Sequence, residues 1–353
     1  MKLNDNIFRA NDIRGVAFED LSQDVVFALG KALGTESIDR KQDDFIIGRD
    51  GRVSSPQLFE WLSEGVLSSG CNVTDIGIVP SPVFYHSTFN LNSSSGVVIT
   101  GSHNPADYNG FKILFNNNST SSQEIQSIKN RIKERNFLSG AGDIKSLDVV
   151  ESYVKEITND IKLHRPLNIS IDCGNGAAGV VAERVYKGLG CEVKGLFCDL
   201  NGKFPNHHPD PSKPENVEDL IKSVLKNNSE IGLAFDGDAD RLGVISPSGE
   251  MIFPDMQMIL FSEHILKHNP NSKIVFDVKC SKLLKEAILK SKGTPIMSKT
   301  GHTFIKSMIR EEGAILGGEM SGHIFFNDRW PGFDDGVYAG ARMLEILSNS
   351  EDE

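Results

Sequence analysis

EIGLAFDGDADR, residues 230–241, is the stretch on which the fold turns. The apolar run Ile231–Phe235 ends directly in three carboxylates, Asp236, Asp238 and Asp240, separated only by Gly237 and Ala239. So short an apolar run suits a strand covered on both faces, and a polar loop at its end suits a ligand site at the carboxyl edge of a sheet. Five further runs repeat the pattern: FIIGRDGR (45–52), GVVITGSHNP (96–105), NISIDCGNGAAG (168–179), KIVFDVKCS (273–281) and AILGGEMSGH (314–323). Between them lie segments of helical periodicity: SPQLFEWLSEGVLSSG (55–70), SSQEIQSIKNRIKERNFL (121–138), ENVEDLIKSVLKNN (215–228) and DMQMILFSEHILKHN (255–269). Each opens on Ser, Asp or Glu and spaces its apolar residues for one buried face. Strand, loop and helix in alternation predict an α/β protein built of several such units in series.

A chain of 353 residues exceeds the usual size of one core. Breaks in the pattern near 139–148 and 246–251 divide it into three mixed α/β domains, at 1–147, 148–250 and 251–353. A helix through Ala341, Leu344 and Leu347 precedes the acidic end EILSNSEDE, read as a linker or frayed terminus. The net charge of −11 argues against broad nucleic-acid binding, though basic residues converging in one cleft would still admit a phosphorylated ligand. Cys71, Cys173, Cys191, Cys198 and Cys280 form no Cys-x-x-Cys pair and read as buried thiols of a reducing compartment. The start MKLNDNIFRANDIRG has no signal-peptide core, and no apolar run approaches the ~20 residues of a membrane span, so a cytoplasmic protein is expected.

Three carboxylates two residues apart repel one another unless a cation sits among them. Oxygen ligands on a tight loop suit a small hard ion, magnesium first, because magnesium accepts a phosphate oxygen as a further ligand. A solvated acidic loop and a calcium site resembling half an EF-hand are the alternatives. The EF-hand's closing Glu is missing, and a strand rather than a helix precedes the loop.

Thr100-Gly101-Ser102-His103-Asn104-Pro105 also follows a strand, and a glycine before the serine would let the backbone turn and present a nucleophilic hydroxyl. A plain Gly-Ser turn stopped by proline is the alternative, since no Gly-x-Ser-x-Gly elbow is present. Asn109-Gly110 reads as a hairpin turn that would bring Lys112 back toward Ser102 as phosphate partner or proton carrier. Gly318-Glu319-Met320-Ser321-Gly322-His323 sets groups for sugar hydroxyls and a proton-transfer histidine in one loop of small residues, with a structural histidine as the alternative. Gly174-Asn175-Gly176-Ala177-Ala178-Gly179 fits a dinucleotide fingerprint, with Glu192 or Asp199 about 20 residues on, and makes an oxidoreductase the rival class. Close helix–strand packing explains the same glycines.

Together the serine loop, the D-x-D-x-D loop and the Glu-Met-Ser-Gly-His loop resemble, in order and separation, the α-D-phosphohexomutase family in its bacterial phosphomannomutase/phosphoglucomutase branch. FRANDIRG (8–15), GRDGRVSSP (48–56), FPNHHPDP (204–211), FDVKCS (276–281), KTGH (299–302) and RWPGFDDGVYAGAR (329–342) agree with it, so the resemblance spans essentially the whole chain. It implies mixed α/β domains of phosphohexomutase type around a central cleft. It also implies a phosphoserine at Ser102, and Mg2+ bound by that group with Asp236, Asp238 and Asp240. Arg14, His103, Lys112 and Arg241 would surround the phosphoryl group. Lys279, His302, Glu319, Ser321 and His323 would meet the sugar, with Glu319 and Ser321 on the 3- and 4-hydroxyls. The implied partner is a small phosphosugar, and the implied activator a hexose 1,6-bisphosphate. The sequence departs from the family at Asn11, where a tyrosine is usual, and at Ser298, where an aromatic is. Nothing after Arg342 supplies the family's C-terminal fourth domain, which grips the non-reacting phosphate. The chain is therefore read either as the first three domains of a mutase, with weak turnover on their own, or as a phosphosugar- or metal-binding protein without efficient turnover.

Overall fold

The computed structural model describes residues 3–349, so the end of the acidic tail, 350–353, lies outside the described residues. The chain forms two compact units: residues up to Val150 together with Asn201–Pro205, and Glu151–Leu200 together with the residues from Asn206 onward.

The first unit runs β1 (Ile13–Val16), α1 (Gln23–Asp39), β2 (Asp44–Arg49), α2 (Ser55–Leu67), β3 (Asn72–Ile78), α3 (Ser81–Asn90), β4 (Gly96–Ile99), β5 (Tyr108–Phe115), β6 (Asn118–Ser119), α4 (Ser122–Glu134) and β7 (Ile144–Ser146). Its sheet has the order β1-β5-β4-β2-β3-β7, with β6 beside β5. The apolar runs at 45 and 96 form the parallel strands β2 and β4, β3, which the sequence reading did not pick out, pairs parallel with β2, and β5 returns antiparallel to β4 and β1. Phe45, Ile47, Val97 and Ile99 on the sheet meet Leu58, Leu62 and Val66 of α2 and Ile125 and Ile128 of α4 in one core. Burial of this apolar area drives the packing.

The Asn109-Gly110 pair corrects the sequence reading. It is no turn: both residues lie inside β5, and residues 100–107 make the connection from β4. Gly110 sits opposite Arg14, and a Cβ there would fall 2.6 Å from the Ile13 carbonyl oxygen. The glycine serves close strand approach rather than reversal. Lys112 nonetheless runs back alongside β4, opposite Val98.

The second unit continues, from Glu151 on, with α5 (Val150–Asp160), β8 (Asn168–Asp172), α6 (Ala182–Gly188), β9 (Glu192–Leu196), α7 (Glu218–Asn227), β10 (Ile231–Phe235), β11 (Leu242–Ile245), β12 (Met251–Ile252), α8 (Pro254–His268), β13 (Lys273–Asp277), α9 (Lys282–Lys290), β14 (Thr294–Ser298), α10 (His302–Glu312), β15 (Leu316–Gly318), β16 (Ile324–Phe326) and α11 (Gly336–Asn349). It carries two sheets, β12-β11-β10-β8-β9 and β14-β13-β15-β16. The polar break at 246–250 is the turn of the β11–β12 hairpin, which extends the first of these sheets to Ile252. One unit holds both sheets because α11 packs on α6, β10 and β11 as well as on α8 and β16. The Tyr153 hydroxyl donates to Asp335, and the Tyr186 hydroxyl to the Val337 carbonyl.

All five cysteines are free thiols; Cys71, Cys173 and Cys191 are buried, while Cys198 and Cys280 are half-buried. Burial pushes Cys71 up to about 12 and Cys191 to about 11, which keeps them unreactive. Among the described residues no helix is long and apolar enough to cross a membrane.

Candidate active site

In the first unit the chain leaves β4 at Ile99 and turns at once. Ser102 takes the left-handed conformation, φ +50°, which costs a non-glycine residue about 1–2 kcal/mol. Its amide donates to the Thr100 Oγ1 at 2.9 Å, and its Oγ lies 3.1 Å from His103 Nδ1. Arg14, on β1, reaches the same loop, donating through Nη1 to the Asn104 Oδ1 at 2.9 Å while Asp12 holds Nη2 at 2.6 Å. Lys112 is buried on the adjoining β5. Ser102, His103, Arg14 and Lys112 thus belong to one end of one sheet.

The sequence reading missed what lies beneath that loop. Arg52, 1% exposed, donates from Nη1 to the carbonyls of Pro105 and Tyr108 and from Nη2 to those of Ser102 and Asn104. Its Nε is 3.2 Å from Asp50 Oδ2. Asp50 also accepts from the amides of Arg52 and Gly101 and from the Ser55 hydroxyl. A Cβ on Gly101 would fall 2.4 Å from the guanidinium carbon, so the glycine before the serine makes room for an arginine.

In the second unit Asp236, Asp238 and Asp240 are all buried on the loop from β10 to β11, and one oxygen from each lies within 4.8 Å of the others. Buried, clustered carboxylates repel strongly, and this hard-oxygen set on a tight loop fits a divalent cation. The candidate fingerprint glycines support that loop. A Cβ on Gly176 would fall 2.8 Å from the Gly237 carbonyl oxygen, and the Ala177 amide donates to that oxygen at 2.9 Å. Gly179 packs on the Cys198 carbonyl, and a short 3-10 turn, Ala177–Val180, follows instead of a long helix. Packing accounts for these glycines, and nothing in the structure favours the dinucleotide reading.

Arg241 closes the loop. Burial opposes its charge, but Asp236, Asp240, Asp210 and Asp238 outweigh that and hold it protonated. Its Nε donates to His323 Nε2 at 3.1 Å. By hydrogen-bond logic the ring proton is then on Nδ1, which lies 3.0 Å from Asp334 Oδ2 and 3.6 Å from Asp240 Oδ1. His302 stacks on His323, with ring centroids 5.4 Å apart. Burial opposes ionisation of Asp334, yet Lys306, His323 and His302 keep its carboxyl well below the usual range. Asp334 and Lys306 were not found from the sequence; the FDD triplet (333–335) was quoted there without a role.

The sugar-facing candidates gather on neighbouring loops. Glu319 accepts from the Gly301 amide, and the Ser321 hydroxyl donates to Glu319 at 3.5 Å. Burial raises the Glu319 pKa, partly offset by His323. Asp277, at the end of β13, accepts from the Thr300 hydroxyl and the Lys279 amide, tying the loop 299–302 to the exposed Lys279. Arg241 and His323 therefore adjoin the aspartate trio; His302 and Glu319 adjoin His323 in turn, Ser321 lies beside Glu319, and Lys279 stands one loop away.

Sequence models of phosphoglucomutase/phosphomannomutase alpha/beta/alpha domains I, II and III match residues 5–139, 151–249 and 253–353. Phosphomannomutase/phosphoglucomutase of Pseudomonas aeruginosa is 47% identical over 346 residues, 98% of this chain and 75% of that protein. A phosphoglucomutase of Neisseria gonorrhoeae is 47% identical over 348 residues, 98% of this chain and 76% of that protein. The crystal structure of a phosphoglucomutase/phosphomannomutase family protein from Burkholderia thailandensis superposes with a TM-score of 0.97 at 46% identity, covering 99% of this chain and 78% of the other.

Proposed function

The chain belongs to the phosphoglucomutase/phosphomannomutase family of hexose-phosphate mutases, and from that premise we propose that it interconverts hexose 6-phosphate and hexose 1-phosphate, with mannose, glucose or both, through phosphorylated Ser102 and a hexose 1,6-bisphosphate. The observation that carries this reading is the buried trio Asp236, Asp238 and Asp240. A divalent ion held by these residues and the Ser102 phosphate, magnesium by the hardness of the donors, would neutralise charge on the phosphoryl oxygens.

Phosphate passes from Ser102 to the free hydroxyl of the bound sugar phosphate: the serine O–P bond breaks as the sugar O–P bond forms. His323 takes the proton of that hydroxyl on Nε2 as Arg241, which donates to that nitrogen at 3.1 Å, turns to the transferring phosphate. His103, whose Nδ1 is 3.1 Å from Oγ, returns a proton to the serine. Arg14, Lys112 and Arg241 counter the charge of the transferring group. Glu319 and Ser321 hold sugar hydroxyls, and Lys279 and His302 complete the sugar contacts. The bisphosphate then turns over and gives its other phosphate back to Ser102, and added hexose 1,6-bisphosphate primes the serine. We keep three domains at 1–147, 148–250 and 251–353, supported by the three sheets, and a cytoplasmic setting, supported by the free thiols.

The test is intact mass after incubation with Mg2+ and glucose 1,6-bisphosphate, before and after phosphatase, alongside assays on mannose 1-phosphate and glucose 1-phosphate. One phosphoryl group is expected on the wild-type chain and none on Ser102→Ala. A wild-type chain that takes up no phosphate would refute the reading.

A further inference from the structure

We propose that Arg52 is the positioning residue of the phosphoryl carrier. Its guanidinium, braced on Asp50 and faced by Phe204, fixes the backbone of residues 102–108 so that the Ser102 hydroxyl holds one orientation for in-line transfer. The inference rests on Ser102 being the phosphorylated residue.

The loop from Thr100 to Tyr108 is tied by backbone bonds mainly at its ends, Thr100 to the Gly110 carbonyl and the Asp107 carbonyl to the Ala17 amide, and inside it only Asn104 bonds back to Gly101 and Tyr108 to Pro105. The carbonyls of Ser102, Asn104, Pro105 and Tyr108 instead converge on one planar fork of donors at 2.5–3.0 Å. Only arginine offers that many donors in a fixed plane; a lysine ammonium has three, clustered at a point. The Ser102 carbonyl is itself among the four, so the clamp acts on the residue whose left-handed φ aims the hydroxyl.

Stability alone does not explain such a residue. A buried ion pair is commonly no better than apolar side chains of the same volume, whereas a loop that must hold an atom in place gains from rigid, directional bonds. Two further features fit a built cradle. Gly101 leaves room for the guanidinium, as noted above. The segment Asn201–Pro205 lies over Arg52, where a Cβ on Gly202 would come 2.6 Å from the Arg52 Cα, and the Phe204 ring centre is 5.1 Å from the guanidinium carbon.

The experiment follows single-turnover phosphorylation of the full 353-residue chain by glucose 1,6-bisphosphate with Mg2+, read by intact mass, with melting and circular dichroism as checks of folding. Arg52→Lys keeps a cation for Asp50 but cannot serve four carbonyls. The expected result is a folded protein whose limiting phosphorylation rate falls about 100-fold, the loss typical of a reacting group displaced by about 1 Å, while its half-saturating bisphosphate concentration stays put. Gly101→Ala, which drives a methyl into the guanidinium, gives the same split and decides the matter if Arg52→Lys does not fold. A folded variant that phosphorylates at the wild-type rate, or that loses only affinity, overturns the assignment. A wild-type chain that takes up no phosphate overturns the phosphoserine reading beneath it, so the two failures are distinct.

Discussion

Three carboxylates within 4.8 Å of one another, all buried, store repulsion in the metal-free protein. Replacing one of them removes a charge from that cluster, so Asp238→Asn is expected to raise metal-free stability by about 1–2 kcal/mol and to abolish the response to magnesium. Wild type should instead gain about 2.7 kcal/mol when Mg2+ reaches a hundredfold excess over its dissociation constant. Melting in chelator and in Mg2+ checks both signs, and a variant that still responds to Mg2+ like wild type would remove Asp238 from the site. The trio was legible in sequence because each carboxylate carries its chemistry in its own side chain and the spacing supplies the rest. Ser102 stood out as a candidate for the same reason. Arg52 was not: its partners are backbone carbonyls, which every residue owns and no motif marks. Asp334 escaped because its meaning comes from Lys306 and His323, which are distant along the chain.

Strands and helices were read best where apolar periodicity was clean. The runs at 45, 96, 168, 230, 273 and 314 became β2, β4, β8, β10, β13 and β15. Helix α4 carried its own start signal, for Ser121 and Glu124 form a capping box. Helix α1 was passed over because Gly30 and Gly34 interrupt its pattern. Those glycines let α1 and α2 approach: a Cβ on Gly30 would fall 2.2 Å from the Leu62 carbonyl oxygen, and one on Gly65 2.2 Å from that of Phe27. We expect Gly65→Ala to cost about 1–3 kcal/mol in denaturant unfolding of the first unit, the usual penalty of overpacking. At the other end of the chain, Asp335 accepts from the Tyr338 amide and the Tyr153 hydroxyl at the start of α11. Burial pushes its carboxyl up to about 7, despite the hydrogen bonds that favour the charged form. The folded state therefore holds a proton that the unfolded chain releases near pH 4. The stability this gives is full below that pH and is lost as pH rises toward 7. Asp335→Asn should flatten the profile, with wild type losing on the order of 3 kcal/mol more than the variant between pH 5 and pH 8. Equal losses of stability in wild type and variant, read from urea unfolding at the two pH values, would place the charge of Asp335 elsewhere in the balance.

Two compact units, each with one tryptophan, make the shared-ion reading measurable on the whole chain. Trp61 lies on α2 in the first unit, and Trp330 is buried against Tyr338 in the second, with ring centres 4.3 Å apart. The aspartates belong to the second unit and Ser102 to the first. A ligand stabilises whatever folded structure binds it. Without phosphate on Ser102, Mg2+ should delay the unfolding seen at Trp330 and leave that seen at Trp61 in place. On the proposed reading the phosphate of Ser102 would add a ligand from the first unit, and both transitions should then move together, by about 1–3 kcal/mol at saturating Mg2+. Fluorescence unfolding of Trp61→Phe and Trp330→Phe chains, each with and without phosphate, separates the two signals. If the phosphorylated chain shows a Trp61 transition indifferent to Mg2+, then Ser102 and the aspartates do not share an ion, and the phosphoryl-transfer route proposed for this chain fails with it.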